Sequence, residues 1–222
     1  MTTNTTERTL TTFGWVPEKF RGMVRDVRVR WALEEAGLPY QTRLIGPDDQ
    51  KTPAYRALQP FGQVPAYQDG EVALFESGAI VHHIAAGSAA LMPPDEAGRS
   101  RTLSWMFAAL NSVEPYIGVL YDHDNFGAGG DGADARRSVM LERVKSRLGA
   151  LESELQNRDY LLERFTAADI LMASVLNILA YGDLLGSYPT LQAYLARCQS
   201  RPAARKALAD HMAVFADHAV AA

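Results

Sequence analysis

The chain has 222 residues, 47% of them hydrophobic and 22% charged, an ordinary globular composition with room for one large or two small domains. A formal net charge of -4 gives no support to nucleic-acid binding or to a basic membrane-surface patch. The single cysteine, Cys198, excludes an internal disulfide framework and any Cys-x-x-Cys redox or zinc motif.

Met1 to Leu10 is rich in threonine and lacks the apolar centre of a signal peptide. Arg8 to Phe13 reads as a short strand, followed by the turn-like Gly14-Trp15-Val16-Pro17. From about Met23 to Ala36, Val24, Val27, Trp31 and Leu33 mix with Arg and Glu at helical spacing, and Gly37 stands at the C-cap. Tyr40 to Ile45 fits a second strand and Thr52 to Leu58 a short helix. Val64 to Tyr67 and Val72 to Phe75 flank Asp69-Gly70, a hairpin signal, and a helix follows from Ser77 to Ala86. The order β-α-β-α-β-β-α predicts a mixed sheet with helices on its faces.

After Met92-Pro93-Pro94 strand-like runs stop. Trp105, Ala108, Ala109, Ser112 and Val113 follow one face of a long helix, and Leu141, Val144, Leu148, Leu151 and Leu155 form a stripe on the next. Asp122 to Asp134 between them is polar and glycine-rich and reads as a connection. Thr166-Ala167-Ala168-Asp169 has the form of a capping box and opens an apolar helix. That helix, Ile170 to Ala180, is interrupted by Ser174 and Asn177 and is too short to span a bilayer. The expected domains are therefore 1–92 and 93–222, in a cytoplasmic protein.

Three metal or nucleotide patterns fail on inspection. Gly127 to Gly132 matches G-x-G-x-x-G but has no apolar strand before it. Asp122-His123-Asp124 begins like a calcium loop, but Phe126 and Ala133 fall where oxygen ligands are needed. His82 and His83 are adjacent in a helix and point to different faces. No metal is expected.

Three segments carry a family resemblance. Arg28 to Tyr40 is a helix leading into a strand; Pro60-Phe61-Gly62-Gln63-Val64-Pro65-Ala66 is followed by Leu74-Phe75-Glu76-Ser77-Gly78; and the Thr166–Asp169 cap is followed by Tyr188-Pro189 and Arg201-Pro202-Ala203. In this order the chain resembles the cytosolic glutathione S-transferases. The resemblance implies an α/β thioredoxin-like N-terminal domain, an all-α C-terminal domain, glutathione as co-substrate and a homodimer. It also implies a cis Val64-Pro65 bond that turns the Val64 backbone toward the cysteinyl backbone of glutathione, like a short added strand. Ser77, at a helix start, has backbone N–H groups and a hydroxyl suited to an anion. By resemblance that anion is the γ-glutamyl carboxylate, with Glu76 near the γ-glutamyl amine. Gln63 would touch the tripeptide backbone, and Lys51 or Gln50 would meet the glycyl carboxylate. Without the resemblance, the same residues read as a tight turn and an ordinary helix cap.

One departure stands out. The family activates the glutathione thiol with Tyr or Ser, or uses Cys for a mixed disulfide, yet no Tyr, Ser or Cys occurs between Leu10 and Leu38. Arg25 is the candidate for holding a thiolate in place of a hydroxyl, against the alternative of a surface arginine paired with Asp26 or Glu18. Thr12 is a second candidate, with a short side chain. Trp15 and Arg21 are candidates for the same pocket. Trp105, Ala108, Asn111 and Ser112 are candidates for the electrophile side, against the alternative that the aromatic stripe is core. Cys198 reads as a small buried residue.

The expected activity is conjugation of glutathione to a small hydrophobic electrophile, in the manner of detoxification enzymes. Two alternatives stay open: a non-catalytic ligand-binding or interaction protein of the same fold, and a glutathione-dependent isomerase, which lacks the expected Ser-Ser-Cys pattern here.

Overall fold

A computed structural model of the protein describes residues 8–127 and 129–216. The start of the Thr-rich N-terminal stretch (1–7) and Ala128 of the glycine-rich segment lie outside the described residues. The chain divides into two compact units, one running up to Leu91 and taking in the segment from Pro202, the other Met92–Arg201.

The first unit is built on a four-stranded sheet of order β2-β1-β3-β4, with β1 at Thr9–Phe13, β2 at Gln41–Ile45, β3 at Ala66–Asp69 and β4 at Val72–Phe75. β1 runs parallel to β2 and antiparallel to β3, which pairs antiparallel with β4. Both faces of β1 are covered: Leu10, Thr11 and Thr12 are all buried. Gly70 takes φ 60 at the β3–β4 turn, as a tight hairpin requires. Helix α1 (Asp26–Ala36) starts later than its apolar spacing suggested and ends on Gly37 at φ 65, whose N–H returns to Leu33 and Glu34 carbonyls. Helix α2 (Pro53–Leu58) is capped by Thr52, whose side chain accepts from the Tyr55 N–H. Helix α3 spans Ser77–Ala86.

The last helix, α9 (Pro202–Ala213), packs on α1 in this first unit rather than among the preceding helices. This differs from the expected 93–222 division, and the reason is side-chain chemistry. His211 meets Asp26 of α1, and Lys206 pairs with Glu34 at 3.0 Å. Those polar partners are far apart in sequence, so neither helix taken alone announces the contacts.

The second unit is all helical: α4 (Glu96–Phe107), a π-helical turn (Ala108–Val113), α5 (Glu114–Phe126), α6 (Ala133–Glu154), α7 (Ala167–Asn177) and α8 (Pro189–Gln199). The expected stripe on α6 is the buried one, through Val144, Leu148 and Leu151, with Leu155 just beyond the helix. Helix α5 runs on to Phe126, so Asp122–Phe126 is helical rather than part of the connection; its polar residues belong to a largely solvent-facing last turn. The capping box forms, with Asp169 accepting from the Thr166 N–H at 2.8 Å. Asp169, 0% exposed, also accepts from Leu161 N–H at 3.0 Å and the Tyr194 hydroxyl at 3.0 Å. Cys198 is buried beside this cluster, and burial pushes its thiol well above the ordinary range. Among the described residues no helix is long and apolar enough to cross a membrane.

Candidate functional site

Strand register gathers the candidate residues of the first unit at one end of its sheet. Phe13 pairs with Ile45, the last residue of β2, and Thr11 pairs with Ala66, the first of β3. Ala66 in turn pairs with Phe75, the last of β4. The loop after β1, the turn after β2, the residues before β3 and the start of α3 therefore all leave the sheet at the same edge. Gln50, Gln63, Val64, Glu76 and Ser77 share that edge with the Gly14–Arg25 segment.

The Val64-Pro65 peptide is cis. Val64 precedes the β3 ladders, which begin at Ala66. Its side chain packs with Ile45, Tyr55 and Ala66, with Phe13 and Val24 against them. The Tyr55 hydroxyl donates to the Gln63 carbonyl at 2.6 Å, and burial pushes that phenol up to about 12, keeping it a donor. Arg56 donates to the Gln50 carbonyl at 3.1 Å and to the Pro60 carbonyl at 2.8 Å, drawing the turn after β2 onto the Pro60–Gln63 segment. Gly62, at φ 66, is required here: a Cβ would lie 2.8 Å from Arg56 Cζ and 2.9 Å from the Gln50 carbonyl oxygen. Lys51 is exposed and pairs with Asp48 at 3.0 Å.

Glu76 has φ 66, a left-handed conformation uncommon for a non-glycine residue. Such a backbone costs on the order of 1–3 kcal/mol and concentrates at functional sites. It turns the chain from β4 into α3, so that the first N–H groups of the helix, which have no intrahelical partner, stand at the sheet edge. The Glu76 side chain is exposed, and its carbonyl accepts from Ile80 at 3.0 Å. Ser77, 3% exposed, receives a hydrogen bond on its hydroxyl from Arg28 Nη1 at 3.3 Å. A hydroxyl that accepts from a guanidinium keeps its one proton for donation elsewhere, so Ser77 is set up as a donor.

Arg28 is a site residue that its sequence surroundings do not single out. Arginines in an amphipathic helix read as its solvent face, yet Arg28 and Arg30 of α1 are buried, as is Asp26. Arg28 is met by Ser77 of α3, Arg30 pairs with Asp26 one turn before it, and Asp26 in turn meets His211 of α9, remote in sequence.

The loop after β1 carries the remaining first-unit candidates. Trp15 is 53% exposed. Arg25 is exposed at the N-cap of α1. Arg21 lies over the Phe215 ring at 5.3 Å, drawn toward the segment after α9. Phe13, at the end of β1, fills the core with no hydroxyl to offer, while the Thr12 hydroxyl is buried without a protein hydrogen-bond partner.

In the second unit, Ala108, Asn111 and Ser112 fall in the π-helical turn, with Trp105 one turn before it. Pro115 lacks an N–H and clashes with the carbonyl four residues back, and the Glu114 N–H instead reaches the Ala109 carbonyl. Widening of this kind is frequent at functional sites. It leaves Asn111 and Ser112 exposed and Trp105 half-buried. Among the described residues no group of three or more His, Cys, Asp or Glu is arranged to hold a metal ion.

Comparison with known proteins bears on these features. The profile of the glutathione S-transferase N-terminal domain matches residues 12–86, and that of the glutathione S-transferase C-terminal domain matches 113–211. The glutathione S-transferase-like protein OpS6 of Beauveria bassiana is 30% identical over 84% of this chain and 91% of its own. A glutathione S-transferase of Hyoscyamus muticus is 31% identical over 82% and 92%. Among solved structures, a glutathione transferase of Burkholderia graminis with two glutathione molecules bound per subunit superposes with a TM-score of 0.78 at 30% identity, covering 91% of this chain and 88% of that one. One from Pseudomonas putida with one glutathione disulfide per subunit gives 0.78 at 28% identity, covering 91% of each. The chain belongs to the glutathione S-transferase family.

Proposed function

We propose that the protein binds reduced glutathione at the sheet edge defined by Val64 and Ser77 and adds its thiolate to a small hydrophobic electrophile. The observation that carries this reading is the pairing of Ala66 with Phe75, which brings the cis Val64-Pro65 peptide and the start of α3 to the same edge. The Val64 main chain suits the cysteinyl backbone, and the α3 N-terminus with the Ser77 hydroxyl suits the γ-glutamyl carboxylate. Glu76 faces the γ-glutamyl amine, Gln63 the tripeptide backbone, and Gln50 or Lys51 the glycyl carboxylate. Relatives solved with glutathione or its disulfide support the ligand.

A free thiol has a pKa of about 8.5, so only a few per cent is nucleophilic at neutral pH. Each unit by which the site lowers that value multiplies the thiolate severalfold. With no Tyr, Ser or Cys near the loop, the cation Arg25 takes that role, with Trp15 and Arg21 lining the same region. For the electrophile, the candidate contacts are Trp105, Ala108, Asn111 and Ser112 of the second unit, and holding the two reactants together supplies the rest of the acceleration. The working form is a homodimer, supported by the exposed aromatic pair Phe61 and Phe75, whose rings meet at 6.1 Å, and the setting is cytoplasmic, in detoxification.

The second reading is a non-catalytic glutathione-binding protein, favoured by the absence of an activating hydroxyl. Thiolate ultraviolet absorbance of bound glutathione separates the two. A depressed thiol pKa that Arg25→Ala restores supports transfer; an unshifted value in the wild type supports binding alone. A turnover screen across aryl halides, epoxides, enones, peroxides and disulfides then identifies the acceptor.

A further inference from the structure

The loop between β1 and α1 is tied to the last helix by a buried imidazole. The Gly22 N–H donates to His211 Nε2 at 3.1 Å, and His211 Nδ1 lies 3.1 Å from Asp26 Oδ2. The two contacts together determine the state of the ring. Nε2 accepts from a main-chain N–H and so carries no proton; the ring proton sits on Nδ1 and is donated to the carboxylate. His211 is held neutral, in one tautomer, between an acceptor on α1 and a donor in the loop. Asp26 Oδ2 also accepts from Arg30 Nε at 2.8 Å. His211 is 1%, Asp26 0% and Arg30 2% exposed, so water does not replace any of these partners.

The loop is anchored toward its ends by Val16, which is buried, and by Val24, which packs against the Val64 cluster, but its middle turn, Glu18–Phe20, buries no residue. Gly22 has φ 82, and a Cβ there would touch Leu208 of α9 at 3.4 Å, so the chain passes close against that helix. Beyond the ring, Phe215 stands edge-on to His211 at 4.9 Å and carries Arg21 over its own face. The loop thus leans on α9 through its main chain at Gly22 and through Arg21.

We propose that His211 is a positioning residue for the thiol chemistry: its neutral ring, bridging Asp26 and Gly22, holds the 14–25 segment, and with it Arg25, where the glutathione sulfur is stabilised. The proposal rests on the glutathione reading given above. The charged groups around the bridge are Asp26 and Arg30 of α1 and Arg21 of the loop. Lys206 gives α9 a second tie to α1 through Glu34 at 3.0 Å.

Hydrogen exchange of the 14–25 segment, with glutathione affinity and the thiol pKa of bound glutathione in parallel, tests this in the full chain. His211→Leu removes both contacts, whereas His211→Gln keeps one donor and one acceptor. His211→Leu is expected to speed exchange in 14–25 by about tenfold or more, leave α3 protected, keep the glutathione Kd within about twofold, and raise the thiol pKa. His211→Gln retains most of the protection and a thiol pKa near that of the wild type, a comparison that holds even if the leucine variant does not fold. Unchanged protection of 14–25 in His211→Leu, or loss of that protection in His211→Gln, overturns the proposal. So does a loss of glutathione affinity with an unmoved thiol pKa, which marks a general structural role. If the wild type binds no glutathione at all, the functional reading falls and the link to thiol chemistry with it, while the exchange data alone decide whether the His211 bridge holds the loop.

Discussion

Arg28 Nη1 donates to the Ser77 hydroxyl at 3.3 Å, a buried cation on one helix orienting the first side chain of another. The bond occupies an acceptor lone pair of Ser77 and directs its proton outward, which suits a carboxylate at the α3 N-terminus. Ser77→Ala is therefore expected to weaken glutathione binding by about tenfold, the loss of a hydrogen bond to a charged group. Arg28→Met weakens it less, because the hydroxyl stays but loses its orientation. The double variant binds within about twofold of Ser77→Ala alone, since Arg28 acts through Ser77. Calorimetric Kd values for the set check this, and additive losses would contradict it.

In the second unit, Asp169 gathers the Leu161 and Thr166 N–H groups and the Tyr194 hydroxyl around a fully buried carboxylate. Asp169→Ala strands these donors at once. The expected cost is at least about 3 kcal/mol, read as a lower urea midpoint with little change in m-value. Asp169→Asn, which retains one acceptor oxygen, costs less. Equal and small effects for both variants would show that the cap is dispensable.

Glu152 of α6 caps α8, accepting from Thr190 N–H at 3.0 Å and Leu191 N–H at 2.9 Å. Partial burial raises its pKa, but these bonds outweigh that and hold the carboxyl below its ordinary 4.5. A depressed folded-state value means the cap stabilises the protein above the unfolded-state pKa, and the contribution is lost as pH falls below 4.5 through the folded value. Glu152→Gln should cost about 1 kcal/mol at neutral pH, a gap that closes in acid. Stability curves of the two proteins that stay parallel down to about pH 3 would contradict this.

Most of the fold was legible in the sequence because its signals are local. Gly37, Asp69-Gly70, Thr52 and the Thr166–Asp169 box each specify their own turn or cap through chemistry within a few residues. The sheet edge was legible for the same reason, since Val64-Pro65 and Glu76-Ser77 are short contiguous motifs. Arg28, Arg30 and Asp26 were not, because nothing local distinguishes a buried charge on α1 from a solvated one. Arg30 pairs with Asp26 within α1, but Arg28 and Asp26 depend on Ser77 and His211, 49 and 185 residues away. The assignment of α9 to the first unit was hidden for that reason too. Pro115 was visible, but its π-helical consequence depends on how the preceding turn is held.

Titration calorimetry with reduced glutathione tests directly whether glutathione occupies the sheet edge between Val64 and Ser77. The predicted result is saturable binding of one glutathione per subunit at this edge in the wild type, weakened about tenfold in Ser77→Ala. Absence of binding at millimolar glutathione, or binding that Ser77→Ala leaves untouched, would contradict it.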